Sequence, residues 1–311
     1  MGGLAVSVLP DLSAEFCGIR LRNPILLASG TCGYGAELEP FLDLREVGGI
    51  VAKSLTLEPR QGNAPPRITE TPAGLLNAIS LENVGVECFV KEKLPALPPE
   101  VPVFASIFET EIPRYAEVCR RLAGAPIAAI EVNASCPHVK AGGIEFGQDP
   151  RVLARLVVAC REVVSECPLV VKLSPNVTSI VEMARVCKEE GADGVALINA
   201  VQGLEVDVER RRPRLRNVLG GLSGPAIRPI ALRMVYQVAQ ALSDFPVCGI
   251  GGIRTGEDAA AFLLCGARVV QVGTATYLRP DAGRAIRDEL AAYLERQRVA
   301  RVADLIGALE R

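Results

Sequence analysis

Eight short apolar runs recur along this chain, and between most of them lies a longer stretch with helical periodicity. The runs fall at 24–28, 49–53, 101–105, 127–132, 169–172, 194–198, 247–250 and 269–272. They are rich in Val, Ile, Leu and Ala and lack the polar alternation of a half-solvated strand, so they read as parallel strands covered on both faces. Helical patterns occupy 37–47, 84–94, 112–122, 151–166, 179–190, 227–243, 257–265 and 282–297. Eight β–α repeats match the count of a TIM (β/α)8 barrel, and the lack of a dinucleotide-binding fingerprint disfavours an open doubly wound sheet. The expectation is an α/β chain in one barrel domain over 1–311. Residues 5–9 and 14–20 should pair as an N-terminal hairpin at the barrel bottom. Insertions should follow strand 2 (56–83), strand 4 (139–148) and strand 6 (200–224), where Gly, Pro and charge accumulate as they do in active-site lids.

Composition removes several function classes. With 34 Lys and Arg against 36 Asp and Glu, the formal net charge of -2 gives no drive toward nucleic acid or an anionic membrane. The run Arg210-Arg211-Arg212 is expected to be a solvated loop. No apolar run approaches the roughly 20 residues of a spanning helix, and no charged segment followed by an apolar core opens the chain. The ten cysteines show no C-x-x-C spacing, so neither zinc nor an iron–sulfur cluster is expected on this chain. A reduced, cytoplasmic protein is the simple reading.

The chemistry of such a barrel sits at the C-terminal ends of its strands. There the sequence places Ser29-Gly30, Lys53-Ser54, Ser106, Asn133, Lys172 with Ser174, Asn199, Gly251-Gly252 and Gly273-Thr274, in strand order. Lysines and asparagines at buried strand ends need partners, which a polar ligand in the barrel mouth would provide. The glycine turns after strands 7 and 8 offer bare backbone N–H groups where barrels of this type bind phosphate. Together with lysines inside the barrel, they suggest a phosphorylated planar cofactor such as FMN. Lys172 alone could also be an imine-forming lysine. A Cys-Pro loop (Cys136-Pro137) and three asparagines fit a flavin better, beside which a cation would stabilise the anionic reduced form. Cys136, followed by the chain's only histidine, His138, is a candidate proton-transfer group.

The ordered motifs resemble the class 1 dihydroorotate dehydrogenases, and the B type in particular. They are Leu21-Arg22-Asn23-Pro24, Ala28-Ser29-Gly30, Pro59-Arg60-Gln61-Gly62-Asn63, Gly74-Leu75-Leu76-Asn77-Ala78-Ile79, the Cys136 loop, Val171-Lys172-Leu173-Ser174-Pro175-Asn176-Val177-Thr178, Gly220-Gly221-Leu222-Ser223-Gly224-Pro225 and the two glycine turns. The resemblance implies oxidation of dihydroorotate to orotate in pyrimidine synthesis, with FMN in the barrel. By matching motif, Cys136 is the base that takes the C5 proton. Lys53, Asn77, Asn133 and Asn199 hold the substrate, with Ala78, Ile79, Ser80, Leu81, His138 and Ala200 along the same pocket. Ser29, Lys53, Ser54, Ser106, Asn133, Lys172, Ile198 and Gly224 face the flavin, and Gly251, Gly252, Gly273 and Thr274 hold its phosphate. The 139–148 loop would close over substrate, with Gly142, Gly143 and Gly147 as hinges. In the B type a partner subunit carries FAD and a 2Fe–2S cluster and passes electrons to NAD; a homodimer, or two copies of each subunit, is implied.

Three positions depart from that pattern. His138 stands for a substrate-binding Asn, Ala200 for a Thr or Ser, and Ser106 for an Asn near the flavin. A Cys-Pro-His sequence and a Ser at the third strand end also occur in dihydropyrimidine dehydrogenases, which reduce uracil and thymine. The same motifs are compatible with a fumarate-using A-type enzyme, and the three altered positions with a non-catalytic FMN-binding subunit.

Overall fold

The computed structural model describes residues 9–134 and 146–310. Eight parallel strands close into a barrel in chain order: β1 (Ile25–Leu27), β2 (Gly49–Val51), β3 (Val103–Ile107), β4 (Ala129–Asn133), β5 (Leu169–Lys172), β6 (Gly194–Leu197), β7 (Val247–Ile250) and β8 (Val269–Val272). β8 returns to β1 with Val272 opposite Leu27, so no strand edge is left open. The expected barrel is the observed one.

Strand alternation divides the barrel's apolar residues into two sets. Ile130 and Val132 of β4, Leu169 and Val171 of β5, and Val270 and Val272 of β8 face outward into the main core. Ala129, Val170 and Val269 face inward with Leu26, Val51, Phe104, Ala196 and Cys248. The main core is sealed by the helices α1 (Ile112–Leu122), α2 (Pro150–Arg161), α3 (Ile180–Glu189), α4 (Arg228–Ala241), α5 (Gly256–Leu264) and α6 (Ala282–Gln297). Several begin where the sequence supplies a cap. The Asp149 carboxylate accepts from the first N–H groups of α2, Ser179 Oγ accepts from Glu182 N, and Thr255 and Asp258 form a reciprocal capping box on α5.

The hairpin does close the barrel bottom, but its strands are Ala14–Phe16 and Ile19–Leu21 around a Cys17-Gly18 turn. Residues 5–8 lie outside the described residues. Phe16 is 1% exposed and packs with the inward-facing layer, while Cys17 Sγ donates to Asp193 O at the foot of β6.

Other expectations need correction. The helix expected over 37–47 is two tight turns, Ala36–Leu38 and Leu44–Glu46. Pro40 cannot continue a helical hydrogen-bond ladder, and the Asp43 carboxylate caps the second turn separately. The helix expected over 84–94 begins at Val86, widens over Phe89–Lys93 and tightens over Leu94–Ala96, where Pro95 lacks an N–H. Strands 3 and 4 start two residues later than expected, β3 directly after Pro102. The insertions after strands 2 and 6 are present as expected, and they carry strands of their own. They join in one antiparallel sheet, ordered Val201–Leu204, Leu219–Ser223, Gly74–Asn77, Ile68–Thr71, with Gly221 opposite Asn77. Of the insertion after strand 4, residues 135–145 are outside the described residues.

Candidate active site

The C-terminal mouth of the barrel opens into a cleft lined by residues from the strand ends, the place where barrels of this architecture carry their chemistry. The insertion sheet forms one wall, contributing Ile68, Leu75, Asn77 and Ser223. Of the residues expected to contact a cofactor, Ser29, Lys53, Ser54, Asn133, Lys172, Ile198, Gly224, Gly251, Gly252, Gly273 and Thr274 all line it. Of those expected to contact substrate, Lys53, Asn77, Ile79, Ser80, Asn133, Asn199 and Ala200 do.

Three expected residues do not line it. Ser106 lies within β3 rather than at its end, is fully buried, and meets Ser54 Oγ at 2.9 Å. It therefore supports Ser54 from below. Ala78 and Leu81 are turned into the protein, and the Ala78 backbone is already engaged by Arg67 O and Asn63 Nδ2. Cys136 and His138, with Gly142 and Gly143, lie outside the described residues. Thr31, Tyr277 and Ile253 also line the cleft, although no motif singles them out. Thr31 follows Ser29-Gly30 closely and Tyr277 lies one helical turn beyond Thr274, so adjacency to the motifs is the available signal.

One end of the cleft suits an anion. The backbone N–H groups of Gly251, Gly252, Gly273 and Thr274 donate to no protein group among the described residues. Three chain segments are pressed together here. Thr274 Oγ1 donates to Ser223 Oγ at 2.8 Å, and a side chain at Gly252 would come within 2.8 Å of Gly224 O. Gly252 also has φ +72, so backbone geometry and packing both demand glycine. Gly273 is different. It is not in the left-handed region, and a Cβ there would meet nothing nearer than Ala28 Cβ at 3.5 Å. Neither the fold nor the packing requires this glycine; a ligand lying against the backbone would. Behind the turn, Arg228 pairs with Asp258, whose other oxygen accepts from Arg254 N and Thr255 N, fixing the chain after Gly252.

The opposite wall is amide-rich. Asn199 Nδ2 donates to Asn133 Oδ1 at 3.4 Å, and Asn133 Nδ2 donates to Ser54 Oγ at 3.3 Å. Tyr115, fully buried on α1, donates to Asn133 O and stacks edge-on against Phe146, where the described chain resumes. Lys53 Nζ donates to Ser80 O. Ser80 holds φ 68, unusual for a residue with a side chain and a local strain of the kind found at ligand sites. The insertion that carries Asn77 and Ser80 is tied down by Glu109, which accepts from Leu57 N, Thr110 N, Arg60 and Arg114. Burial alone would raise the Glu109 carboxyl, but these donors outweigh it and hold it below the usual carboxylate value.

Cys32, Cys187 and Cys248, buried away from the cleft, are poor nucleophiles. Burial pushes Cys32 up to about 12 and takes Cys187 and Cys248 above the usual thiol value. Among the described residues no His, Cys, Asp and Glu cluster could hold a metal ion, and no helix is long and apolar enough to cross a membrane.

The sequence is similar to known proteins over nearly its whole length. The profile of the family described as dihydroorotate dehydrogenase matches residues 11–294. The dihydroorotate dehydrogenase B (NAD(+)), catalytic subunit, of Geotalea uraniireducens is 52% identical over 302 residues, covering 96% of this chain and 98% of the relative. The protein of the same description from Geobacter sulfurreducens is 52% identical over 303 residues, with 97% and 99% covered. That of Maridesulfovibrio salexigens is 50% identical over 302 residues, with 96% and 99% covered.

Proposed function

The chain belongs to the dihydroorotate dehydrogenase family, and from that premise we propose that it oxidises dihydroorotate to orotate in pyrimidine synthesis, with FMN in the barrel mouth. The observation that carries the cofactor assignment is Gly273, a glycine that neither backbone conformation nor packing requires, whose N–H and those of Gly251, Gly252 and Thr274 are uncommitted among the described residues. Gly251, Gly252, Gly273 and Thr274 would take the phosphate. Ser29, Ser54, Lys172 and Ile198 would face the ring system, and Ser106 would act only through Ser54. When bound, FMN supplies the hydride acceptor for C6 of the substrate.

The chain's own groups do the rest. Cys136 removes the C5 proton, as the family resemblance implies. Lys53, Asn77, Asn133 and Asn199 hold the carboxylate and ring amides, and the Asn199–Asn133–Ser54 hydrogen-bond series keeps these amides in a common orientation. Closure of the 139–148 loop excludes water from the proton transfer. The relatives' description as an NAD(+)-linked catalytic subunit supports a partner that carries FAD and a 2Fe–2S cluster and passes electrons to NAD. The proposal includes one barrel domain over 1–311, a homodimer or heterotetramer, and a cytoplasmic location.

The test is anaerobic addition of dihydroorotate to the purified yellow protein. Bleaching of the flavin with stoichiometric orotate is the expected result. Reduction of uracil without oxidation of dihydroorotate would overturn the reading in favour of a dihydropyrimidine dehydrogenase activity, the outcome that Ser106 and His138 would then explain.

A further inference from the structure

Below the cleft floor the barrel interior holds a polar group that the reaction does not use. Glu131 on β4 is 1% exposed and points inward, two residues before Asn133. Gln271 on β8, 3% exposed, reaches across the barrel and donates from Nε2 to Glu131 Oε2 at 2.8 Å. Lys172 Nζ, which lines the cleft, lies 3.9 Å from Glu131 Oε1. That separation is an ion pair without a hydrogen bond, and Glu131 Oε1 and Gln271 Oε1 are both buried with no hydrogen-bond partner among the described residues.

This arrangement is expensive for the fold. A buried ion pair gains little over well-packed apolar residues, and unpaired buried oxygens cost about 1–3 kcal/mol each. The layer just beneath, with Ala129, Val170, Cys248 and Val269, is apolar. Glu131 gives the buried Lys172 a counter-charge, but a barrel layer with neither charge would cost the fold less, so the pair as a whole is not explained by stability.

We propose that Glu131, held off Lys172 by Gln271, is a positioning residue that sets how much of the Lys172 charge a bound flavin experiences. The inference rests on FMN occupying the cleft. A full ammonium charge at the cleft floor favours the anionic reduced flavin over the neutral oxidised one. A carboxylate behind the ammonium offsets part of that charge, and so lowers the flavin's midpoint potential. Gln271 limits the offset, because its hydrogen bond keeps the carboxylate from closing fully onto the lysine.

The two substitutions therefore act in opposite directions. Glu131→Gln removes the negative charge and tightens reduced relative to oxidised FMN by at least tenfold, about 30 mV for a two-electron couple. Gln271→Met frees the carboxylate to approach Lys172 and shifts the same ratio the other way, by threefold or more. Glu131→Asp keeps the charge and stays within threefold of the wild type. The measurements are the midpoint potential by anaerobic dye equilibration and the dissociation constant of oxidised FMN from the apoprotein by flavin fluorescence. Loss of folding alone would not give opposed shifts. Should Glu131→Gln fail to fold, the Gln271→Met and Glu131→Asp pair still decides the matter. Unchanged potentials in variants that bind FMN overturn the inference and leave the proposed function standing. A wild-type protein that binds no FMN overturns the proposed function and the inference with it.

Discussion

Gly273→Ala separates binding from folding more cleanly than any other change in the cleft. The added Cβ meets no protein atom nearer than 3.5 Å, and the backbone there is not in the left-handed region. Folding therefore gains the usual benefit of replacing a compatible glycine, about 0.4–1 kcal/mol through the unfolded chain. With an unfolding entropy of about 2.1 cal/mol/K per residue over 311 residues, that is a rise in Tm of about 1 °C. Binding should move far more. The methyl group occupies the space in which a phosphate would approach the Gly273 and Thr274 N–H groups, and one charge-assisted hydrogen bond contributes about 1.5–3 kcal/mol. Loss of one such bond weakens FMN about 10- to 150-fold.

Gly252→Ala is the contrasting control. At φ +72, with a Cβ 2.8 Å from Gly224 O, it should cost the apoprotein about 2 kcal/mol or more before any ligand is added. Thermal melts of apoprotein and FMN fluorescence titrations read the two effects separately. A Gly273→Ala protein that melts as expected and binds FMN with wild-type affinity would refute the phosphate assignment.

Three further outcomes are expected. Glu109→Gln, which removes a carboxylate held by two arginines and two backbone N–H groups, should cost about 2 kcal/mol at neutral pH. Because the folded-state carboxyl lies below its ordinary value, that contribution is present above about pH 4.3 and fades as pH falls through the lowered value; denaturant curves of wild type and variant should converge in acid. Phe16→Ala opens the barrel-bottom plug and should cost about 3–5 kcal/mol, measured in guanidinium, with FMN affinity changed less than threefold. Cys136→Ala should keep the flavin absorbance and lose nearly all flavin reduction by dihydroorotate in stopped flow, whereas rapid reduction would remove the thiol from the mechanism.

The parts of the molecule legible in its sequence are those whose cause is local. Continuous apolar runs specify strands covered on both faces, and strand position alone puts the strand-end residues Lys53, Asn133, Lys172 and Asn199 in the cleft, where the structure has them. What escapes depends on partners far along the chain. The insertion sheet pairs Asn77 with Gly221, 144 positions away, and neither segment alone alternates clearly enough to read as a strand. Ser106 falls at a strand end only if β3 stops with its apolar core; β3 runs two residues further, which moves that position into the strand interior. Pro40 and Pro95 are visible in the sequence, yet the apolar spacing around them suggests helices that a backbone missing those donors cannot complete.

The Glu131–Gln271 contact shows a rule the sequence can supply. In a barrel strand, the residue two before a cleft-lining residue points to the same side, one layer down. Applied to Lys53 and Lys172 the rule gives Val51 and Val170, both in the apolar interior. Applied to Asn133 and Gly273 it gives Glu131 and Gln271, which meet although 140 residues apart. β4 and β8 stand opposite each other in the ring, so this hydrogen bond spans the barrel rather than joining neighbours. Two oxygens of the pair, Glu131 Oε1 and Gln271 Oε1, have no hydrogen-bond partner among the described residues, although Glu131 Oε1 lies 3.9 Å from the Lys172 ammonium. The polar pair sits directly beneath the cleft-lining Asn133 and Gly273 and against Lys172, the one charged side chain it touches among the described residues, which is where the proposed tuning of a bound flavin would act.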